Sequence, residues 1–167
     1  VASLPPSAGA WLDSDNTLFL GKGDREAGIH RPGKIDYIGL RLVDSSTGAQ
    51  SLALFWGLYT HKALTEDVSR IPILKEKLEQ VLKAESAVTG SHLQRTLEDA
   101  FRSVPVEYLF GAEVDSIRHV LQLVVSAEDE QETGIHLLED STRRAAFVMV
   151  SLPRQRYDDE VRKATSR

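Results

Sequence analysis

The 167-residue sequence contains no cysteine. Disulfides, thiolate-held zinc, iron–sulfur clusters and thiol nucleophiles are thereby excluded, and the absence fits a reducing, cytoplasmic compartment. No apolar run approaches the roughly 18 residues of a membrane span, and no signal-peptide pattern opens the chain. Positive charge is in deficit, with 20 Lys plus Arg against 25 Asp plus Glu and a net charge of -5. Non-specific binding to nucleic acid or anionic lipid needs the opposite balance. An initiator Met is missing, and the last residues, Glu160 to Arg167, read as a helix without a stop signal. The expectation is a piece of a longer protein.

What is present describes a soluble globular chain: 41% hydrophobic and 27% charged residues. The length suits one generous domain or two small ones. Residues 1–16, with two prolines and a cluster of Asp and Asn, read as a leading arm and a turn. Leu18-Phe19-Leu20 reads as a short strand ended by Gly21 and Gly23. From Ile35 to Val43 the apolar residues Ile38, Leu40 and Leu42 alternate, which predicts a strand. Asp44-Ser45-Ser46-Thr47-Gly48 is turn chemistry. In the return strand Leu52, Leu54, Trp56 and Leu58 alternate with Ala53, Phe55, Gly57 and Tyr59. Apolar residues on both faces place that strand at the centre of an antiparallel meander over 17–60.

The period then changes. Pro72 suits a first helical turn, and Leu74, Leu78, Val81 and Leu82 form one apolar stripe with Lys75, Lys77, Glu79 and Lys83 on the other face. Ser91-His92-Leu93-Gln94 matches a capping box, and Leu93, Leu97, Ala100, Phe101 and Val104 give the next stripe up to Pro105. An αα-hairpin packed on the meander follows, so residues 1–105 form the first part. Residues 106–167 read as strand (106–110), helix (114–125), acidic loop (128–132), two strands (135–139 and 144–152) and a helix after Pro153. That order is a βαββαβ unit lacking its last strand. The fold class expected is α+β, antiparallel sheets with helices on one face.

No chemical constellation emerges. The five histidines, His30, His61, His92, His119 and His136, show no i, i+3 or i, i+4 pairing, so no metal site is expected. Gly21-Lys22-Gly23 is not a phosphate loop: no Lys-Ser or Lys-Thr follows and no helix opens there. It reads as a loop between strands. No nucleophile elbow exists, and the acid pairs Asp13/Asp15 and Asp158/Asp159 sit where turns and helix starts favour acids. Two basic clusters remain, His30-Arg31-Pro32 and Arg154-Gln155-Arg156-Tyr157. Cations at a helix start oppose the dipole. His30, Arg31, Arg154, Arg156 and Tyr157 are therefore candidates for contact with another domain, a subunit or an anionic effector, with salt bridges inside this chain as the favoured reading.

Six fragments in order resemble the non-catalytic N-terminal region of the large bacterial NAD-specific glutamate dehydrogenases. They are His30-Arg31-Pro32, Asp36-Tyr37-Ile38-Gly39, Gly57-Leu58-Tyr59-Thr60, Ile71-Pro72-Ile73-Leu74, Gly90-Ser91-His92, and Leu152 to Tyr157 followed by Glu160-Val161-Arg162. The segments 61–69, 128–132 and 139–144 depart from the family's wording. The resemblance implies PAS-like and ACT-like modules, the first matching 1–105 and the second 106–167. It implies a parent enzyme that deaminates L-glutamate to 2-oxoglutarate with NAD, while this part carries no catalytic, cofactor-binding or metal residue. The partners it implies are other domains of the same polypeptide, a homo-oligomer and an amino-acid effector, with no nucleic acid and no membrane. The competing reading is a stand-alone sensor of a small amino acid.

Overall fold

The computed structural model describes residues 6–28, 32–130, 133–139 and 146–153, with Arg156, Asp158, Glu160 and Lys163. It is an α+β chain with one three-stranded and one two-stranded antiparallel sheet. Contacts divide it into two units that part after Thr65.

The first unit runs α1 (Pro6–Leu12), β1 (Leu18–Glu26), β2 (Lys34–Val43), β3 (Gln50–Gly57) and α2 (His61–Thr65). The leading arm expected from Pro5 and Pro6 is instead a helix from Pro6, with Ala8 and Trp11 buried one turn apart. Trp11 stacks on Phe19 of β1 at 5.6 Å, and Ala8, Trp11, Phe19 and Tyr37 form the core. The meander is as expected, but its order is β1-β2-β3, so β2 is central and β3 lies at an edge. Its two apolar faces do not make it central: Leu52, Phe55 and Trp56 of β3 are half or more exposed.

β1 does not stop at its glycines; it passes through Gly21 and Gly23 as far as Glu26. These residues leave room for rings rather than break the strand. A Cβ on Gly23 would stand 2.6 Å from Tyr37 Cε2, and one on Gly39 would stand 2.9 Å from Trp11 Cη2. The β2–β3 turn follows its chemistry. The Asp44 carboxylate accepts the N–H groups of Ser46 and Thr47 at 2.8 and 3.0 Å, and Gly48 takes a φ of 70°.

The second unit runs α3 (Pro72–Ala84), α4 (His92–Ser103), α5 (Val106–Gly111), α6 (Val114–Glu130), β4 (Gly134–Glu139) and β5 (Ala146–Ser151), after a single 3-10 turn at Val68–Arg70. Pro72 opens α3 as its residue type demands. At α4 the Ser91 hydroxyl accepts the Gln94 N–H at 3.1 Å, while Gln94 Oε1 accepts the N–H of Gly90 at 2.6 Å. The reciprocal bond of the capping box thus falls one residue early.

Residues 106–110, expected as a strand, lie instead in the helix Val106–Gly111. A short apolar run does not distinguish the two states; here Tyr108 and Leu109 are both buried and the helix end is held by a lysine described below. The acidic run is likewise not a loop from its start, since α6 continues to Glu130. The order over 106–151 is therefore helix, helix, strand, strand, and not the strand-first order of the expected βαββα module.

The αα-hairpin shares its core with the elements after it. Leu74, Val81, Leu97 and Phe101 pack with Tyr108, Leu109, Ile117 and Leu121, and Leu138 of β4 closes the cluster. Tyr108 meets Phe147 of β5 edge to face at 5.4 Å. That shared core is in keeping with the contacts that group residues on both sides of Pro105 in one unit. The turn at 140–143 and most of the helix expected after Pro153 lie outside the described residues.

Candidate functional site

Of the five basic-cluster candidates, His30, Arg31, Arg154 and Tyr157 lie outside the described residues. Arg156 is exposed, and its backbone N–H donates to Pro153 O at 2.8 Å. Among the described residues no group of three or more His, Asp or Glu is placed to hold a metal ion.

Among the described residues, the one charged side chain classed as buried is Asp36, in the first unit. Lys22 and Asp36 are directly opposed across β1 and β2, and Lys22 Nζ donates to Asp36 Oδ1 at 2.7 Å. Both side chains are largely buried. The second carboxylate oxygen, Oδ2, accepts the Tyr59 N–H at 3.3 Å, which ties the segment after β3 back to β2. A cavity of about 190 Å³ adjoins, lined by Asp36, Ile38, Phe55, Trp56, Gly57, Leu58 and Tyr59. Two family-like fragments meet here, Asp36 to Gly39 and Gly57 to Thr60. Asp36 joins them by holding Tyr59, while Tyr37 fills the space over Gly23 and Gly39 admits Trp11.

The second unit has a cleft of about 790 Å³ between the end of α4, α6 and β5. Val104, Val124, Leu138, Phe147, Met149 and Leu152 dominate its wall, and the polar side chains among the described lining residues are Ser103 and Ser151. A carboxylate or ammonium moved into such a wall would lose its hydration without a charged partner. The cleft suits uncharged matter.

Two cations that periodicity assigned to solvent or to a strand face hold helix ends instead. Lys77 Nζ donates to the carbonyl oxygens of Leu109, Phe110 and Ala112 at 2.8, 3.0 and 2.8 Å. Burial lowers the Lys77 pKa from its usual value, and Glu113 opposes that shift. Arg41 Nη2 donates to the carbonyls of Trp11, Leu12 and Ser14 at 3.2, 3.2 and 2.7 Å, with its guanidinium 5.7 Å from the Trp11 ring centre. A third polar group, Glu85 at the end of α3, accepts from Arg118 and from Gln122 on α6. That contact raises the Arg118 pKa, through hydrogen bonding first and charge second. No spacing rule reveals these contacts, because the partners lie 27 to 37 residues away in sequence, backbone carbonyls for the two cations and side chains for Glu85. Each of these groups bonds within its own unit, although the buried Arg41 Nε has no partner among the described residues.

Residues 71–130 match the family model described as "Glutamate dehydrogenase, helical motif 1". Those bounds run from the residue capping α3 to the last residue of α6, so the four helices fall in one motif. The chain is 26% identical over 153 residues to the NAD-specific glutamate dehydrogenase of Pseudomonas aeruginosa, covering 92% of this chain and 9% of that protein. It is 23% identical over 145 residues to the enzyme of the same description from Halomonas elongata, covering 87% and 9%. With that of Mycobacterium tuberculosis it shares 27% over 108 residues, covering 65% and 7%. The chain thus spans under a tenth of the length of these relatives. The resemblance carried by the ordered motifs is borne out.

Proposed function

We propose that this chain is a non-catalytic regulatory or assembly module of a large NAD-specific glutamate dehydrogenase. Its parent would oxidise L-glutamate to 2-oxoglutarate in amino-acid catabolism, with the NAD site and the catalytic groups elsewhere in the polypeptide. One observation carries the reading: the described motif residues Asp36, Tyr37 and Ser91 are engaged within this chain. Asp36 is bonded to Lys22 and Tyr59, Tyr37 is buried over Gly23, and Ser91 caps α4. Groups so engaged set a shape; they do not present an acid, base or nucleophile to a ligand. The partners are then other domains of the same polypeptide and further subunits of a cytoplasmic homo-oligomer. Among the described residues no helix is long and apolar enough to cross a membrane.

The test is direct. The purified chain, given glutamate and NAD, is expected to produce no NADH, and glutamate-dependent reduction would overturn the proposal. In the full-length enzyme, replacing Arg154 and Arg156 by Gln tests the contact reading of these residues, which requires altered assembly or effector response. Unchanged behaviour in both would remove those arginines from the contact surface. The alternative of a stand-alone amino-acid sensor gains no support from the apolar cleft. A thermal-shift screen separates the two, since a ligand at 100 times its dissociation constant adds about 2.7 kcal/mol. No shift with any amino acid is expected.

A further inference from the structure

We propose that the outer edge of β3 receives a further β-strand from the same polypeptide, supplied by a segment outside these 167 residues. This rests on reading the chain as part of a longer protein. The backbone states which groups are on offer. The Arg41 N–H donates to Thr17 O at 2.8 Å, and the Asp44 N–H donates to Ala49 O at 2.9 Å. Successive residues of a strand turn their N–H and C=O groups to opposite edges. Odd-numbered residues of β2 therefore bond toward β1, and even-numbered ones toward β3. With Ile38 opposite Phe55 and Leu40 opposite Ala53, it is Ala53 and Phe55 that bond to β2. Leu52, Leu54 and Trp56 turn their N–H and C=O groups outward, where no described strand lies.

Edges that stay free in native proteins are blunted by charge, proline, bulges or short length. This one has none of those devices. From Ala49 to Thr60 there is no charged residue and no proline. The β2–β3 register runs without interruption from Asp36↔Gly57 to Val43↔Gln50. Leu52 is 50% exposed and Trp56 60% on one face, and Phe55 58% on the other. Apolar residues on both faces are the mark of a strand inside a sheet. An exchanging partner would leave this surface open whenever it departed, whereas a strand of the same polypeptide stays at hand at any dilution. Relatives of which the chain spans only 9% have ample length to supply it. The incoming segment must be extended, uncharged along its middle, and apolar at alternate positions on both faces.

Hydrogen exchange on the full-length polypeptide tests the edge without any substitution. The amides of Leu52, Leu54 and Trp56 are expected to exchange as slowly as those of Ala53 and Phe55, within about tenfold. If they exchange like open amides while Ala53 and Phe55 stay slow, the edge is free and the proposal falls. A photo-reactive benzoylphenylalanine at exposed position 56 identifies the occupant. A product of single-chain mass, joined to a peptide outside residues 1–167, is the expected result. A product of doubled mass, one joined to a foreign protein, or none joined beyond residue 167 or before residue 1, would overturn it. None of these failures touches the non-catalytic reading, which falls only on NAD reduction by this chain.

Discussion

Lys77, on α3, donates from Nζ to the backbone carbonyl of Leu109 at 2.8 Å, 32 positions along the chain. The same ammonium reaches Phe110 and Ala112, so one cation gathers three carbonyls at the end of α5. Arg41 does the same for α1 at Trp11, Leu12 and Ser14. Helices of six and seven residues are too short to persist alone. Their last carbonyls have no partners within the helix, and a cation there also opposes the negative end of the dipole. Each unit thus fixes a short helix with a positive side chain from a distant element.

Replacing Lys77 by Met keeps the length and apolar stem but removes all three donors. Hydrogen bonds to a charged group are each worth about 1.5–3 kcal/mol, though carbonyls that regain water recover part of that. A loss of about 2 kcal/mol is expected in the urea transition of the second unit. Lys83→Met, on the exposed face of the same helix, should stay within about 0.5 kcal/mol. Equal effects from the two would show that the carbonyl contacts contribute nothing.

The Lys22–Asp36 pair makes a different prediction because both partners are largely buried. Removing one partner leaves an uncompensated charge in a site of low polarity. Lys22→Met or Asp36→Leu alone should each cost about 3–5 kcal/mol. The double variant, which buries no charge, should lie closer to the parent than either single variant does. The Tyr59 N–H that Asp36 accepts keeps part of the deficit in place. Additive losses in the double-mutant cycle would contradict the coupling.

Gly39 gives a steric test. A Cβ there would lie 2.9 and 3.0 Å from Trp11 Cη2 and Cζ3, and 3.3 Å from Phe19 Cβ. The tryptophan is already stacked on Phe19 and cannot retreat without disturbing that contact. Gly39→Ala should lower the stability of the first unit by about 1–3 kcal/mol. Gly57→Ala, where a Cβ meets nothing within 4 Å, should change it by under about 0.5 kcal/mol. Chemical denaturation followed by circular dichroism reads both.

Much of the architecture was legible because it rests on local rules. Pro72 and Ser91 marked the starts of α3 and α4, alternation marked β2 and β3, and two runs flanking a turn-like segment marked β4 and β5. What failed depends on contacts distant in sequence. Residues 106–111 carry too few residues for a period to register, and their helix is secured by Lys77 on another element. Gly21 and Gly23 resemble a loop in one dimension, yet they serve rings that arrive from β1 itself and from β2. β3 looked central because its side chains are apolar on both faces, which composition cannot distinguish from an edge awaiting a partner. The basic candidates gained least: Arg156 is exposed and the other four lie outside the described residues.

The β2–β3 turn should reveal itself in acid. The Ser46 hydroxyl donates to the Asp44 carboxylate at 2.6 Å, and the N–H groups of Thr47 and Ser46 add to it. Together they hold the Asp44 pKa down from 3.8 to about 2, with the hydroxyl bond the largest cause. The charged form is therefore the one the fold favours. The folded state binds fewer protons than the unfolded chain in this range, so the turn's stabilisation is complete above pH 3.8 and is lost as pH falls through 2. Carbon-13 titration of the Asp44 carboxyl should show a midpoint near 2. Ser46→Ala removes the hydroxyl donor and should raise that midpoint toward 3.8, while the two backbone bonds keep it from arriving there. A parent midpoint at 3.8, or no response to the alanine, would mean that the hydroxyl does not close on the carboxylate in solution.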